Sequence, residues 1–189
     1  MLALNFRPFP ELMSERLLFR QLSPGDADEV LKLRSDERVN RFLTRNPSGT
    51  IEEARSFISK INRSISNNES IYWVIAFKTD NKLIGTACLW NIQPENYRAE
   101  IGYELHPDHW GKGVMKEAMP VIIQYCFETL ELHSIEADLN PENVQSAVLL
   151  ERNGFIKEGH FRDSIYFNGK FSDRAVYSLI NPKNGGSAK

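Results

Sequence analysis

The order in which strand-like and helix-like segments follow one another constrains this chain most. Alternation of apolar and polar residues over 16–22 predicts a first strand, and two segments with helical spacing come after it. Three strand-like runs then follow at residues 71–77, 83–92 and 99–105, with only short turn segments between them. Strands joined by such short turns pair antiparallel. The middle of the chain is therefore predicted to form an antiparallel meander.

The second half of the chain alternates helices with strands. A helical segment ends near residue 130, and a short strand is predicted at residues 134–139. A further helix is predicted from Asn140, as its N-cap, to Gly154, which ends it. Strands that are joined through helices pair in parallel. The sequence therefore predicts an α/β (α+β) fold with a mixed, mostly antiparallel sheet and helices on both faces.

Several local signals mark where elements begin, turn or bend. Thr50 and Glu53 have the spacing of a capping box, which predicts a helix that begins after Thr50. Asn168 and Gly169 lie between the last two strand-like runs and predict a two-residue hairpin turn. Pro120 lies inside a predicted helix and is expected to kink it.

Composition limits the class of protein. A length of 189 residues suits one domain. The 23 Lys and Arg residues balance 25 Asp and Glu residues, and this lack of a basic excess argues against a nucleic-acid partner. No apolar run approaches the roughly 20 residues that a membrane helix needs. The first residues do not form a signal peptide, so we expect a cytoplasmic protein without a membrane partner.

The chain is divided into three predicted parts. Residues 1–13 are expected to be an N-terminal extension, residues 14–180 the domain, and residues 181–189, which are rich in Gly, Ser and Asn, a flexible tail. Cys88 and Cys126 are too few for a disulfide framework and are predicted to be buried free thiols. Trp73 and Trp90 lie on predicted strands and are expected in the core, with the wall of a binding pocket as the alternative.

Chemistry is indicated at the turn between the strand 99–105 and the next helix. Gly111, Lys112 and Gly113 form a turn directly before the first helical residues. The first amides of a helix lack intrahelical acceptors, and glycines let a phosphate approach the backbone, so the turn suits a diphosphate. A Walker P-loop is excluded, because Gly113 follows the lysine and His106 occupies the upstream glycine position. The alternative is an ordinary tight turn that starts a helix.

Four motifs surround this turn. They are Ala99-Glu-Ile-Gly-Tyr103, Trp110-Gly-Lys-Gly-Val-Met115, the block from Asn143 through Ser146 to Gly154-Phe155, and the ending Asn168-Gly-Lys-Phe-Ser-Asp173 with Tyr177-Ser-Leu179. With the four motifs in this order and at this spacing, the sequence resembles the GNAT superfamily (GCN5-related N-acetyltransferases) over about residues 14–180. The resemblance is closest to the RimJ/RimL branch. Trp110 and Met115 depart from the general motif of the superfamily. The resemblance implies a GNAT fold with a seven-stranded sheet whose central strands splay apart.

The resemblance also implies acetyl transfer from acetyl-CoA to a primary amine, by direct attack in a ternary complex and without a metal. Backbone amides from Gly111 to Lys116 would hold the diphosphate, the backbone at Leu105 and His106 would pair with the pantetheine arm, and Asn143 would bind that arm by a hydrogen bond. The implied cosubstrate-binding residues are Leu105, His106, Trp110, Gly111, Lys112, Gly113, Val114, Met115, Lys116 and Asn143. His106 and His109 could form a metal pair, but no third ligand is evident in the sequence.

The general acid is predicted from the same resemblance. Many relatives carry a tyrosine seven residues after the asparagine, where this sequence has Leu150. Ser146, at the position that faces the thioester sulfur in the family, is then the candidate to protonate the departing thiolate.

Two rows of carboxylates are candidates for the general base. Alternation places Glu100 and Glu104 on one face of their strand, and Glu136 and Asp138 on one face of theirs. We rank Glu100 and Glu104 first, because their strand leads into the glycine turn.

Alternatives remain at this point. The acceptor is either a protein N-terminal α-amine or a small-molecule amine. The absence of the usual tyrosine also fits an inactive acetyl-CoA-binding module that acts as a sensor or partner protein. The C-terminal hairpin could pair with a second copy, so a homodimer is one alternative.

Overall fold

The computed structural model describes residues 1–183, which form an eight-stranded sheet in the order β1-β2-β3-β4-β5-β6-β8-β7. The strands are β1 (Leu12–Met13), β2 (Leu17–Gln21), β3 (Ile71–Phe77), β4 (Leu83–Gln93), β5 (Arg98–Leu105), β6 (Ser134–Leu139), β7 (Ile156–Phe167) and β8 (Lys170–Ile180). Neighbouring strands pair antiparallel except β5 and β6, which are parallel. The prediction of a mixed, mostly antiparallel sheet is confirmed.

Five α-helices accompany the sheet in the described residues. They are α1 (Ala27–Ser35), α2 (Glu37–Asn40), α3 (Ile51–Ser66), α4 (Val114–Gln124) and α5 (Val144–Arg152). The capping box of α3 is formed as predicted, with Thr50 accepting the Glu53 amide and the Glu53 side chain accepting the Thr50 amide. Helix α4 contains Pro120 and continues into a π-helical turn at Tyr125–Thr129. No helix in residues 1–183 is both long and apolar enough to cross a membrane.

Helices cover both faces of the sheet, as predicted. The ring of Phe57 on α3 packs edge-on against Tyr72, with 5.7 Å between centroids. The ring of Trp73 packs against Tyr125, which follows α4, at 5.3 Å. Since neighbouring residues of a strand point to opposite faces, these two contacts define the sides of the sheet. We call them the α3 face and the α4 face.

The sheet opens between its two parallel strands. β5 pairs with β6 only where Arg98, Ala99 and Glu100 oppose Ser134, Ile135 and Glu136. On its other side β5 stays paired with β4 as far as Leu105, which opposes Gly85. Within residues 1–183, the remainder of β5 has no strand partner on the β6 side. The predicted splay of the central strands is confirmed, and we call the opening the gap.

Three local predictions need correction. The sheet has eight strands rather than seven, because the two residues of β1 are too few to show a period. Helix α5 is capped by Asn143 rather than Asn140, because Asn140 instead closes a turn in which its carbonyl accepts the Asn143 amide at 2.8 Å. Trp90 was predicted in the core and is 49% exposed, whereas Trp73 is fully buried. Alternation assigns Trp90 a face but does not tell whether another element covers it.

Both ends of the described chain touch the domain. Phe6, in the predicted extension, is 1% exposed within the core, and the Pro10 carbonyl accepts the Trp73 indole N–H at 2.8 Å. Asn181 is buried and donates to the Leu132 carbonyl at 3.1 Å. Residues 184–189 of the predicted tail lie outside the described residues. Cys88 and Cys126 are both free thiols, the first partly buried and the second fully buried.

Candidate active site

The glycine turn between β5 and α4 presents unpaired backbone donors. Gly111 and Gly113 have φ angles of 70° and 74°, in the left-handed region that favours glycine. In the described part of the chain, no acceptor receives the amide N–H of any residue from 111 to 116. A Cβ added to Gly111 would meet no atom within 4 Å. This open cradle of amides at a helix start fits a diphosphate, so the residues present suit the diphosphate of coenzyme A.

A carboxylate holds the cradle to the N-terminal part of the chain. Glu117, in the first turn of α4, accepts hydrogen bonds from the Ser14 hydroxyl at 2.6 Å and from the Arg16 amide at 2.7 Å. The Arg16 side chain also donates to Glu117, and to the Lys112 carbonyl at 3.4 Å. Burial opposes ionisation of Glu117, but these hydrogen bonds outweigh it and lower its pKa. Sequence reasoning missed this anchor, because its partners are distant in the chain.

At the end of β5, one backbone amide points toward β4 and the next points into the gap. The His106 amide donates to the Ile84 carbonyl at 2.8 Å, so it is used within the sheet. Adjacent residues of an antiparallel strand direct their amides to opposite sides, which points the Leu105 amide into the gap. The Leu105 carbonyl accepts the Trp110 indole N–H at 2.8 Å. Of the two residues predicted to pair with pantetheine, only Leu105 therefore keeps a free amide.

Hydroxyl groups meet on the α4 face of the gap. The Ser146 hydroxyl lies 2.6 Å from the Tyr103 hydroxyl, so β5 and α5 are joined beside the gap. Asn143 caps α5 by accepting the Ser146 amide at 3.2 Å, which fixes the serine backbone. Burial raises the pKa of Tyr103 to about 12, against the effect of its hydrogen bond with Ser146. The Tyr103 hydroxyl thus stays protonated near neutral pH. The sequence names Ser146 as a candidate acid but gives Tyr103 no role.

Glu100 lies on the α3 face, where the gap begins. Burial is the main reason that its pKa is raised, to about 7, and the negative charge of Asp138 on β6 adds to the effect. A hydrogen bond from Asn91 and the charge of Arg174 act in the opposite direction. Arg174 also pairs with Asp138, with 2.9 Å between Nη1 and Oδ2. Glu100 can therefore gain or lose a proton near neutral pH.

The other predicted carboxylates are engaged with arginines. Glu104 accepts both terminal N–H groups of Arg45, one of them at 2.8 Å. Glu136 forms an ion pair with Arg98. Each of these carboxylates is thus paired with an arginine, whereas within residues 1–183 Glu100 forms no ion pair. Nothing in the spacing of the sequence distinguishes Glu100 from Glu104.

The remaining predicted residues surround the cradle. Val114 is buried and Met115 partly buried, whereas Lys112 and Lys116 are exposed. Among residues 1–183, no three His, Cys, Asp or Glu side chains come together as a metal site would require.

The Glu100 carboxylate and the pair of hydroxyls from Ser146 and Tyr103 lie on opposite faces of the sheet at the gap. Glu100 lies on the α3 face, in the row of residues that alternates with Tyr103, and Ser146 lies on the α4 face with Tyr103. The free Leu105 amide points into the opening between them. This arrangement can hold a thioester in the gap with a proton acceptor on one side and a proton donor on the other.

Comparison with known proteins identifies the family. The sequence model of the acetyltransferase (GNAT) domain matches residues 16–156. The chain therefore belongs to the GNAT family, and it is an N-acetyltransferase, as its similarity to named N-acetyltransferases over most of its length shows.

Relatives and solved structures agree with this assignment. An uncharacterized N-acetyltransferase, p20, of Bacillus licheniformis is 37% identical over 93% of this chain and 98% of its own. The [ribosomal protein uS5]-alanine N-acetyltransferase of Escherichia coli is 30% identical over 93% of each chain. The structure of spermidine N-acetyltransferase from Vibrio cholerae in complex with CoA and spermine superposes with a TM-score of 0.78 at 25% identity, covering 88% of this chain and 96% of its own. The similarity to the RimJ/RimL branch is thereby confirmed.

Proposed function

We propose that this protein transfers the acetyl group of acetyl-CoA to a primary amine, either a protein N-terminal α-amine or a small-molecule amine, by direct attack in a ternary complex. Both kinds of amine occur among the named relatives, one of which is a ribosomal-protein N-acetyltransferase and another a spermidine N-acetyltransferase.

The donor is held by backbone groups. The amides of residues 111–116 bind the diphosphate, and the bound acetyl-CoA supplies the thioester that enters the gap. The Leu105 amide donates to the carbonyl oxygen of the thioester and stabilises the negative charge that develops there during attack. This role needs a free amide directed into the gap, which Leu105 has and His106 has not.

The reaction moves two protons in opposite directions. The neutral amine attacks the acetyl carbon, and its nitrogen–carbon bond forms as its surplus proton passes to the Glu100 carboxylate, directly or through water. The carbon–sulfur bond then breaks, and the leaving thiolate takes a proton from Ser146. The Tyr103 hydroxyl, 2.6 Å away, returns a proton to Ser146 and is replenished from solvent.

The pKa of Glu100 suits this work. An α-amine with a pKa of about 7.7–8.0 is partly neutral at physiological pH, whereas a lysine amine near 10.4 is not. A base that titrates near 7 is efficient because it is ionised at working pH and still accepts a proton. The observation that carries the proposal is therefore Glu100, raised to a pKa of about 7, across the gap from the Ser146–Tyr103 pair.

The test is a set of pH profiles of kcat/KM. Thiol release from acetyl-CoA is measured with a panel of amines that includes N-terminal peptides and polyamines. In the wild type, kcat/KM is expected to rise with pH through an apparent pKa near 7 that does not change with the pKa of the amine. Glu100→Gln should lower kcat by about 10²–10⁴-fold and abolish this rise of kcat/KM with pH, which we call the pH 7 limb. Ser146→Ala should lower kcat and leave the limb in place.

Two results would contradict the proposal. The first is a profile of Glu100→Gln that matches the wild type, since another group would then accept the proton. The second is tight binding of acetyl-CoA without thiol release for any amine in the panel.

A further inference from the structure

An arginine with free donors lies on the α3 face of the sheet, next to Phe57. The guanidinium of Arg34, on α1, stacks on the Phe57 ring, with 3.9 Å from its central carbon to the ring centroid. Its Nε makes one long contact with the Ser48 hydroxyl, at 3.4 Å. In residues 1–183, neither terminal nitrogen has an acceptor, and neither is a buried atom without a partner. Both terminal nitrogens therefore face accessible space and can bind a ligand.

The surroundings of Arg34 carry a surplus of positive charge. Asn40 links it to Arg45, since its side-chain nitrogen donates to the Arg34 carbonyl at 2.8 Å and its oxygen accepts the Arg45 Nε at 2.8 Å. Arg45 is neutralised by Glu104, which leaves one net positive charge on the pair of arginines. Burial and the charge of Arg45 both lower the pKa of Arg34, which remains a cation. A half-buried guanidinium that is short of acceptors suits a carboxylate, which accepts two of its N–H groups.

The sheet register shows how far the aromatic pair Phe57 and Tyr72, on which this cation stacks, lies from the proposed base. Phe57 lies between Arg34 and Tyr72, and Tyr72 opposes Cys88, which opposes Gly102. The backbone of Tyr72 is therefore two strand spacings from β5 and two residues along it from Glu100, or about 12 Å from the Glu100 backbone. Arg34 lies on the other side of Phe57 from Tyr72, and it is not among the charges that shift the pKa of Glu100. A free α-amino acid, with its amine and carboxylate on one carbon, is too short to reach both groups. An extended peptide advances about 3.3–3.6 Å per residue and reaches across within four residues.

We propose that Arg34 binds a carboxylate of the acceptor at a distance from the reacting amine that an extended peptide spans, so that the acceptor is a protein N-terminus with an acidic residue within its first four positions. The amine is held at Glu100, and the acidic side chain at Arg34. This inference rests on the proposed function and adds the substrate class to it.

Matched peptides test the proposal. One peptide has Gln at positions two to four, and three others carry a single Glu at one of these positions. For the wild type, the best Glu peptide is expected to have a kcat/KM at least about tenfold above that of the all-Gln peptide. Arg34→Gln should raise KM for that Glu peptide about tenfold or more and leave the all-Gln peptide unchanged, and Arg34→Lys should restore part of the loss. Arg55→Gln, at an exposed arginine of α3, should change neither peptide.

The all-Gln peptide also shows whether the Arg34→Gln variant is folded. The proposal is overturned if the wild type treats Glu and Gln peptides alike, or if the preference for Glu survives in Arg34→Gln. It is also overturned if the enzyme acetylates spermidine or free amino acids but none of the peptides, and the proposed acetyl transfer to an amine then stands. Absence of thiol release with every amine would instead contradict the proposed function itself.

Discussion

Glu100 and Asp138 are two carboxylates on neighbouring strands, and their proximity follows from strand register. Glu100 opposes Glu136 in the parallel pair, so Asp138, two residues further on, shares its face just where the strands separate. An unfolded glutamate has a pKa near 4.3. The folded protein therefore binds this proton more tightly than the unfolded chain does. The resulting contribution to stability is fully present below pH 4.3 and is lost as the pH rises to about 7. Under the proposed function, this loss of stability accompanies the role of Glu100 as the general base.

Removal of the neighbouring charge should retune the base. Asp138→Asn is expected to lower the pKa of Glu100, because one negative charge is lost and Arg174 no longer has Asp138 as its partner. The apparent pKa of the pH 7 limb should fall by about one unit. It should stay above the pKa of an exposed glutamate, because Glu100 remains buried. Glu52→Gln, which removes an exposed charge on α3, serves as the control. A limb that stays in place in Asp138→Asn would show that Asp138 does not act on the base.

At the scale of elements, the close approach of β4 and β5 depends on one glycine. A Cβ at Gly85 would lie 2.6 Å from the Glu104 carbonyl oxygen and 2.9 Å from a Leu105 side-chain carbon. The first of these atoms belongs to the backbone and cannot move aside without moving the strand. Gly85 thus holds the end of β5 in place, and with it the Leu105 amide at the gap.

Gly85→Ala should disturb both stability and catalysis. We expect a loss of about 1–3 kcal/mol in the free energy of unfolding, measured with urea, because the strands must separate to admit the methyl group. We also expect a lower kcat, because the Leu105 amide shifts with its strand. Gly25→Ala is the matched control, since its Cβ would meet only the Ser23 hydroxyl at an ordinary 3.6 Å. Equal stability of the two variants would contradict this account of the β4–β5 contact.

Elements whose ends depend on neighbouring residues were predicted well from the sequence. The start of α3 after Thr50 and the hairpin turn at Asn168 and Gly169 agree with the structure, because capping boxes and tight turns are completed within a few residues. The start of α5 was wrong, since Asn140 and Asn143 are equally suitable caps by local criteria and the turn closed by Asn140 decides between them. Strand β1 was missed because it is defined only by its pairing with β2.

The candidate site was predictable as a set of positions but not as a set of roles. Alternation correctly put Glu100 and Glu104 on one face. Their different environments arise from Arg45 and Asp138, which reach the site from other elements through tertiary folding. No local spacing contains that information.

At the scale of the whole molecule, the first residues of the chain are part of the core. Phe6→Ala should cost about 3–5 kcal/mol in unfolding free energy, because it removes a fully buried ring and leaves a cavity. Met13→Ala, at a side chain that is 66% exposed, should cost well under 1 kcal/mol. Thermal or urea unfolding of the two variants measures the difference. Similar stability of both would show that residues 1–13 are an appendage.

At the gap, the two strands β5 and β6 are joined by three residue pairs within residues 1–183. Under the proposed assignment, the α3 face, with α1 and α3, recognises the amine, and the α4 face, with the segment from the glycine turn to α5, recognises the thioester. Surface changes on one side then leave the chemistry of the other intact. A lineage built on this plan can exchange one acceptor for another by altering Arg34 and its surroundings, while the machinery that handles the donor is inherited unchanged.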